Sequence, residues 1–315
     1  MTARGAARFL AFQLEPIGYR VRTAAAGYAN LWALLFVPQK GNNMSQFVKD
    51  FYNANAEQEH ERLDLPLCRI EFASTLQLIA KYFPKQGRIC DIGGATGRYT
   101  VELLRKGYLV TLFDLSDQEI RLAEIQLKKN ELSAEQLIIG DARDMSVFGS
   151  DTFDAALLLG PMYHVVEPEE RAKVLQELKR ILKPLGVAIV AYMNSWGLIK
   201  TGVTDFPDWY KDITAIRSML SEQTFTGQSL SGFTECYWST PEAALREVKD
   251  ADLEVISYAG AESFLGGMGI LLEQLTADNP EAYENIVKAA AEMCECEQYR
   301  DSTDHLHIVA RKNSS

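Results

Sequence analysis

The chain has 315 residues, 47% of them apolar and 24% charged, the balance of a soluble globular protein large enough for one full core or a domain with a cap. Its net charge of −11 argues against a general nucleic-acid binder, whose phosphate contacts need a basic surface. Five cysteines, Cys68, Cys90, Cys236, Cys294 and Cys296, lack the spacing of a zinc site and read as reduced thiols, which points to the cytoplasm.

Residues 1–43 stand apart. Arg4, Arg8, Arg20, Arg22 and Lys40 face one acid, Glu15. The apolar run 31–37 is too short to span a bilayer and too late for a signal peptide. An organelle transit peptide is one reading. The preferred one makes 1–43 an extension, with Met44 opening a single domain over 44–315.

From there the pattern is helical over 45–83, with Phe47, Val48, Phe51 and Tyr52 in one cluster and Leu63 to Ala80 in a longer run ending near Pro84. A first buried strand, 89–92, carries Asp91 and breaks into the small-residue turn Gly93, Gly94, Ala95, Thr96, Gly97 before a helix. A strand over 109–113 ends in Asp114, and Ser116 with Glu119 makes a capping box for the following helix. A third strand, 137–139, ends in Gly140-Asp141-Ala142. A fourth, 153–159, ends in Gly160-Pro161-Met162-Tyr163-His164. Pro168 opens a helix that closes at Lys183-Pro184-Leu185-Gly186, and the fifth strand covers 187–193.

The regular alternation then stops. Residues 196–238 show no clean strand but many aromatics, Trp196, Phe206, Trp209, Tyr210, Phe225, Phe233, Tyr237 and Trp238. This reads as an insertion after strand five that would form a lid. The pattern resumes with a helix at 241–250, a strand at 253–258, helices at 268–275 and 280–296, and a last strand at 305–310. Strand–helix alternation with near-continuous apolar strands implies an α/β fold, a doubly wound, seven-stranded, mostly parallel sheet.

Glycine turns at the start of a helix let backbone approach a ligand and offer free N–H groups. Here the turn is joined by acids at successive strand ends, Asp91, Asp114 and Asp141. Asp114 lies one βα unit after the turn, where an acid can accept both hydroxyls of a ribose, and Asp141 is suited to an adenine amino group. Each alone reads better as a cap or a surface residue, and it is the four elements in this order that point to a nucleotide site. A dinucleotide dehydrogenase would need G-x-G-x-x-G, which this turn does not match.

The stretch 91–97 resembles the first motif of class I S-adenosylmethionine (SAM) methyltransferases, with Ala95 where the middle glycine usually stands. Thr111-Leu112-Phe113-Asp114, Gly140-Asp141-Ala142 and the run from Phe153-Asp154 to Leu159-Gly160 are similar to the second, third and fourth motifs. Leu182-Lys183-Pro184-Leu185-Gly186 resembles the family's LKPGG turn, Leu185 replacing a glycine. The resemblance implies a Rossmann-like domain binding SAM, with S-adenosylhomocysteine as product, through Asp91, Gly93, Gly94, Ala95, Gly97, Asp114, Leu115, Asp141, Ala142, Leu159 and Gly160. By likeness to relatives whose N-terminal helix covers SAM, Arg62 would bind the cofactor carboxylate and Tyr52 would close the pocket. His164 is either a base near neutral pH or a structural histidine, and Tyr163 either positions the acceptor or packs against the lid. No Asn-Pro-Pro-Tyr-type motif follows strand four. With the acidic charge, this favours an O or N atom of a small molecule as acceptor, with no nucleic-acid, membrane or metal partner. The alternatives are a macromolecular acceptor, tRNA or protein, and a non-catalytic SAM-binding regulator.

Overall fold

Alternation of side chains along the central strands builds two cores, one on each face of the sheet. The computed structural model describes residues 44–205, 207–225 and 234–314. The extension 1–43, Phe206 and Phe233 lie outside them. β1 (Arg88–Ile92) sits between β2 (Leu109–Asp114) and β4 (Phe153–Leu158), with β3 (Gln136–Ile139) outside β2 and β5 (Leu182–Asn194) beside β4, all parallel. Ile89, Ala155, Leu157, Val187 and Ile189 face a core shared with Leu78, Ile79 and Leu103. Their neighbours Cys90, Ile92, Ala156, Leu158, Ala188 and Val190 face the opposite core, built with Val174, Leu175, Leu178 and Ile181 of the helix Pro168–Ile181. Strands buried on both sides cannot alternate apolar with polar, hence their continuous apolar runs.

β9 (His305–Lys312) runs antiparallel between β5 and β8 (Leu253–Gly260). The seven-strand order is therefore β3-β2-β1-β4-β5-β9-β8. Two further strands, β6 (Gln223–Phe225) and β7 (Cys236–Ser239), make nine. This corrects the strandless reading of 196–238. Met193 pairs with Trp238 on one edge and with His305 on the other. β7 thus takes the edge of β5 that β4 occupies lower down, beyond the carboxyl end of β4.

The rest of that stretch forms the helix Ser195–Asp205, a 3-10 turn over Pro207–Lys211 and the helix Ile213–Ser218. Trp209, Tyr210 and Trp238 pack within the stretch, and Tyr237 joins the core that holds Val174 and Leu178. Trp238 joins Leu198, Met219 and Cys236 in a small cluster with Trp209 against it. The Tyr210 hydroxyl donates to the Ile199 carbonyl, and the Tyr237 ring lies under the buried Arg171 guanidinium, 3.6 Å from its centroid.

The N-terminal helical region divides in two, Met44–Arg62 and Pro66–Tyr82, because Pro66 suits only a first turn. Leu185, in the family's glycine position, takes φ +64, a left-handed conformation costing a side chain about 1–2 kcal/mol. Among the described residues no helix is long and apolar enough to cross a membrane.

Candidate functional site

The carboxyl ends of β1 to β4 open on one cavity, closed on its outer side by the helix Met44–Arg62. The glycine turn forms its floor. A Cβ on Gly93 would lie 2.6 Å from Pro161 Cδ and 2.7 Å from the Leu159 carbonyl oxygen, so only glycine lets the first and fourth strand ends meet. Ala95 takes φ +45 and Gly160 φ +127; the first is the position where the family usually has glycine. Gly93, Gly94, Ala95, Leu159 and Gly160 line the cavity.

Asp91 and Gly97 do not line it. The Asp91 carboxyl is fully buried behind the loop, where Oδ2 accepts from Thr100 Oγ1 at 2.6 Å, and burial raises its pKa to about 6. Ile92 lines the cavity, and alternation along β1 turns its neighbour Asp91 to the opposite face. Gly97 caps the helix Arg98–Arg105 at φ +81.

Asp114 and Leu115 do line the cavity. The Asp114 carboxylate accepts from Ala95 N at 2.9 Å and Ser116 N at 2.8 Å, and burial raises its pKa against these amides. Asp141 and Ala142 line the cavity beside β3, and Arg143 clamps the Asp141 carboxylate, Nε at 2.9 Å and a second nitrogen at 2.5 Å. The expected capping box is half formed. Ser116 Oγ accepts from Glu119 N at 3.1 Å, but Ser116 N serves Asp114. The Glu119 side chain turns instead to the cavity wall.

The covering helix puts Val48, Tyr52, Ala56 and Glu59 on one face at helical spacing, all but Ala56 in the cavity wall. Arg62 lines the cavity with Nε 2.9 Å from Glu59 Oε2. His60 bonds Thr96 Oγ1 through Nδ1 at 2.9 Å and meets Gln126 through Nε2 at 3.2 Å. No motif marked His60.

Tyr52 and His164 come together from 112 positions apart, hydroxyl to Nε2 at 2.7 Å. His164 Nδ1 is 3.2 Å from the Glu235 carbonyl oxygen. A carbonyl only accepts, so Nδ1 carries the proton and Nε2 accepts from Tyr52. Burial lowers the His164 pKa to about 4, keeping the ring neutral at pH 7. The Tyr163 ring lies 4.9 Å from that of His164 and 6.2 Å from that of His305, and burial raises its pKa.

Beyond Tyr163 the wall carries Glu71 and His305, residues no motif indicated. His305 Nδ1 meets the buried Glu262 at 2.7 Å. Burial opposes the His305 proton, but Glu71 and Glu262 outweigh it and raise its pKa to about 10. Burial likewise opposes the Glu71 charge, and His305 with His307 lowers it to about 2.

Comparison with known proteins agrees with this architecture. A family model described as a methyltransferase domain matches residues 89–186. The tRNA 5-carboxymethoxyuridine methyltransferase of Escherichia coli K12 is 23% identical over 240 residues, 76% of this chain and 85% of that protein. The fold is also that of a SAM-dependent methyltransferase from Methanosarcina mazei, with TM-score 0.51 and 18% identity over 76% of this chain and 98% of the other. It is shared by a 1,6-didemethyltoxoflavin N1-methyltransferase of Burkholderia thailandensis, crystallised with 1,6-didemethyltoxoflavin and S-adenosylhomocysteine. There the TM-score is 0.54 and the identity 13%, over 89% of this chain and 93% of the other.

Proposed function

We propose that this chain, a class I SAM-dependent methyltransferase, transfers the methyl group to an oxygen or nitrogen atom of a small molecule. The observation that carries this reading is the Tyr52–His164 pair in the cavity wall, with Nε2 held as the acceptor by the Nδ1 contact to Glu235.

The cavity suits SAM, whose sulfonium and α-ammonium groups are cationic. Its wall holds Glu59, Glu71, Asp114 and Asp141 against Arg62, Arg98 and His305. Asp114 would take the ribose, Asp141, Leu115 and Ala142 the adenine, the turn Gly93–Ala95 with Leu159 and Gly160 the methionyl chain, and Arg62 its carboxylate. Asp91 and Gly97 support this set from behind. Bound SAM supplies a methyl group already electrophilic on sulfur, so the residues' main task is alignment. Tyr163 would orient the acceptor, and the Tyr52 hydroxyl would take the proton its attacking atom loses while passing its own proton to His164 Nε2. His164, with a pKa near 4, suffices as the final base, because an attacking O–H or N–H becomes strongly acidic as its bond to carbon forms.

The net charge of −11 and the acid-rich cavity support a small acceptor over a polyanion. The five cysteines, all unpaired, support a reducing, cytoplasmic setting. A second reading, a tRNA acceptor, is favoured by the similarity to the Escherichia coli tRNA enzyme over 76% of the chain. Methyl-labelled SAM incubated with the enzyme and a size-fractionated cell extract separates the two. Label is expected among small metabolites, and label confined to RNA or protein sinks the first reading. His164→Gln is expected to lower kcat at least about 100-fold, the usual worth of a positioned base; unchanged turnover would leave His164 a structural residue.

A further inference from the structure

Glu119 lies in the first turn of the helix Asp117–Lys129, is 1% exposed, and is one of the residues that line the cavity with Asp114. Neither carboxyl oxygen has a hydrogen-bond partner. A buried polar group without partners is costly and rare in a folded protein. Here both orphan atoms belong to a residue that borders the space a ligand must fill. The charged and titratable groups around it are Tyr52, Glu59, His60 and Arg62 from the covering helix and Asp114 from the end of β2. Arg62 is bonded to Glu59, and His60 to Thr96 and Gln126, so none of them satisfies it.

We propose that Glu119 is a further cofactor-binding residue, whose carboxyl shares the ribose hydroxyls of SAM with Asp114. Position and chemistry both support this. Asp114 reaches the ribose from the end of β2, and Glu119 follows one helical turn after the loop that Asp114 begins. Burial, then Asp114 and Glu59, raise the Glu119 pKa to about 9, so at neutral pH it is a carboxylic acid with one donor and one acceptor face. Asp114 only accepts. A vicinal diol has two donors and two acceptors, and one carboxylate with one carboxylic acid matches it where two carboxylates would repel.

The experiment needs no methyl acceptor, so it stands or falls apart from the reading of the substrate. Calorimetry would measure S-adenosylhomocysteine and its analogue lacking both ribose hydroxyls against the wild type, Glu119→Met and Glu119→Gln. Glu119→Met is expected to bind S-adenosylhomocysteine about tenfold more weakly, the worth of one hydrogen bond, yet to bind the analogue as the wild type does. Glu119→Gln keeps a donor and an acceptor and should stay within about threefold of wild type on both. Equal weakening toward both ligands in Glu119→Met, or none, would overturn the proposal. Should Glu119→Met not fold, pH decides. Wild-type affinity for S-adenosylhomocysteine should fall as pH passes 9 while that of Glu119→Gln does not, and parallel profiles would also overturn it.

Discussion

Single residues set the chemistry of the cavity through what holds them, more than through their identity. Asp114 accepts from two backbone amides, Ala95 N and Ser116 N, so it both shapes the glycine turn and keeps lone pairs for a ligand. Asp114→Ala should therefore weaken S-adenosylhomocysteine binding by about 1.5–3 kcal/mol, the range for hydrogen bonds to a charged group. Calorimetric titration at neutral pH is the check, and wild-type affinity would remove Asp114 from the site. Asp91, two positions before the turn, looks as promising in sequence. Its Oδ2 accepts from Thr100 behind the loop, out of the cavity lining, so its effect on a ligand would pass through the turn.

At the scale of elements, the helix Met44–Arg62 is bonded where the strands end. Tyr52 meets His164 after β4, His60 meets Thr96 in the glycine turn, and Asn53 meets the loop after β2. Asn53 Oδ1 accepts from Ser116 Oγ at 2.6 Å and Gln118 N at 3.3 Å, while Nδ2 donates to Asp117 Oδ1 at 3.0 Å. Asn53→Ala removes all three, leaves the buried Ser116 hydroxyl short of a partner and should loosen the helix by about 1–3 kcal/mol. Hydrogen exchange is the measurement. Faster exchange confined to 44–62, restored by S-adenosylhomocysteine, is expected, and unchanged exchange there would deny Asn53 this part. Glu235, the residue before β7, offers its carbonyl to His164 Nδ1 and so selects the histidine tautomer.

For the whole molecule, acids and histidines from distant segments make stability depend on pH. His305 at the start of β9 pairs with Glu262 after β8 and feels Glu71 on the helix Pro66–Tyr82. Its folded pKa, about 10, lies above the ordinary value of 6.5. The folded state therefore holds a proton the unfolded chain gives up, so this stabilisation is complete below pH 6.5 and is lost as pH rises through 10. Thermal melts of wild type and His305→Gln should differ most near pH 6, the wild type higher, and converge toward pH 10. A gap that stays constant with pH would exclude the charged pair as its source.

Much of this fold was legible in the residues alone. Continuous apolar runs, glycine turns and acids at strand ends are local signals, because backbone periodicity and turn chemistry act over a few neighbouring positions. They specified the order of the seven main strands, the edge where the cavity opens, and Asp114 and Asp141 at that edge. Tertiary structure alone decided which side chains meet. It turned Asp91 inward and Glu119 away from its expected cap, packed Trp209, Tyr210 and Trp238 within 196–238 but Tyr237 against Arg171, and gathered His60, Glu71 and His305 into one cavity with Tyr163 and His164. Such meetings depend on loops that close over tens to hundreds of residues, and no local pattern encodes where two distant side chains will stand in the same cavity.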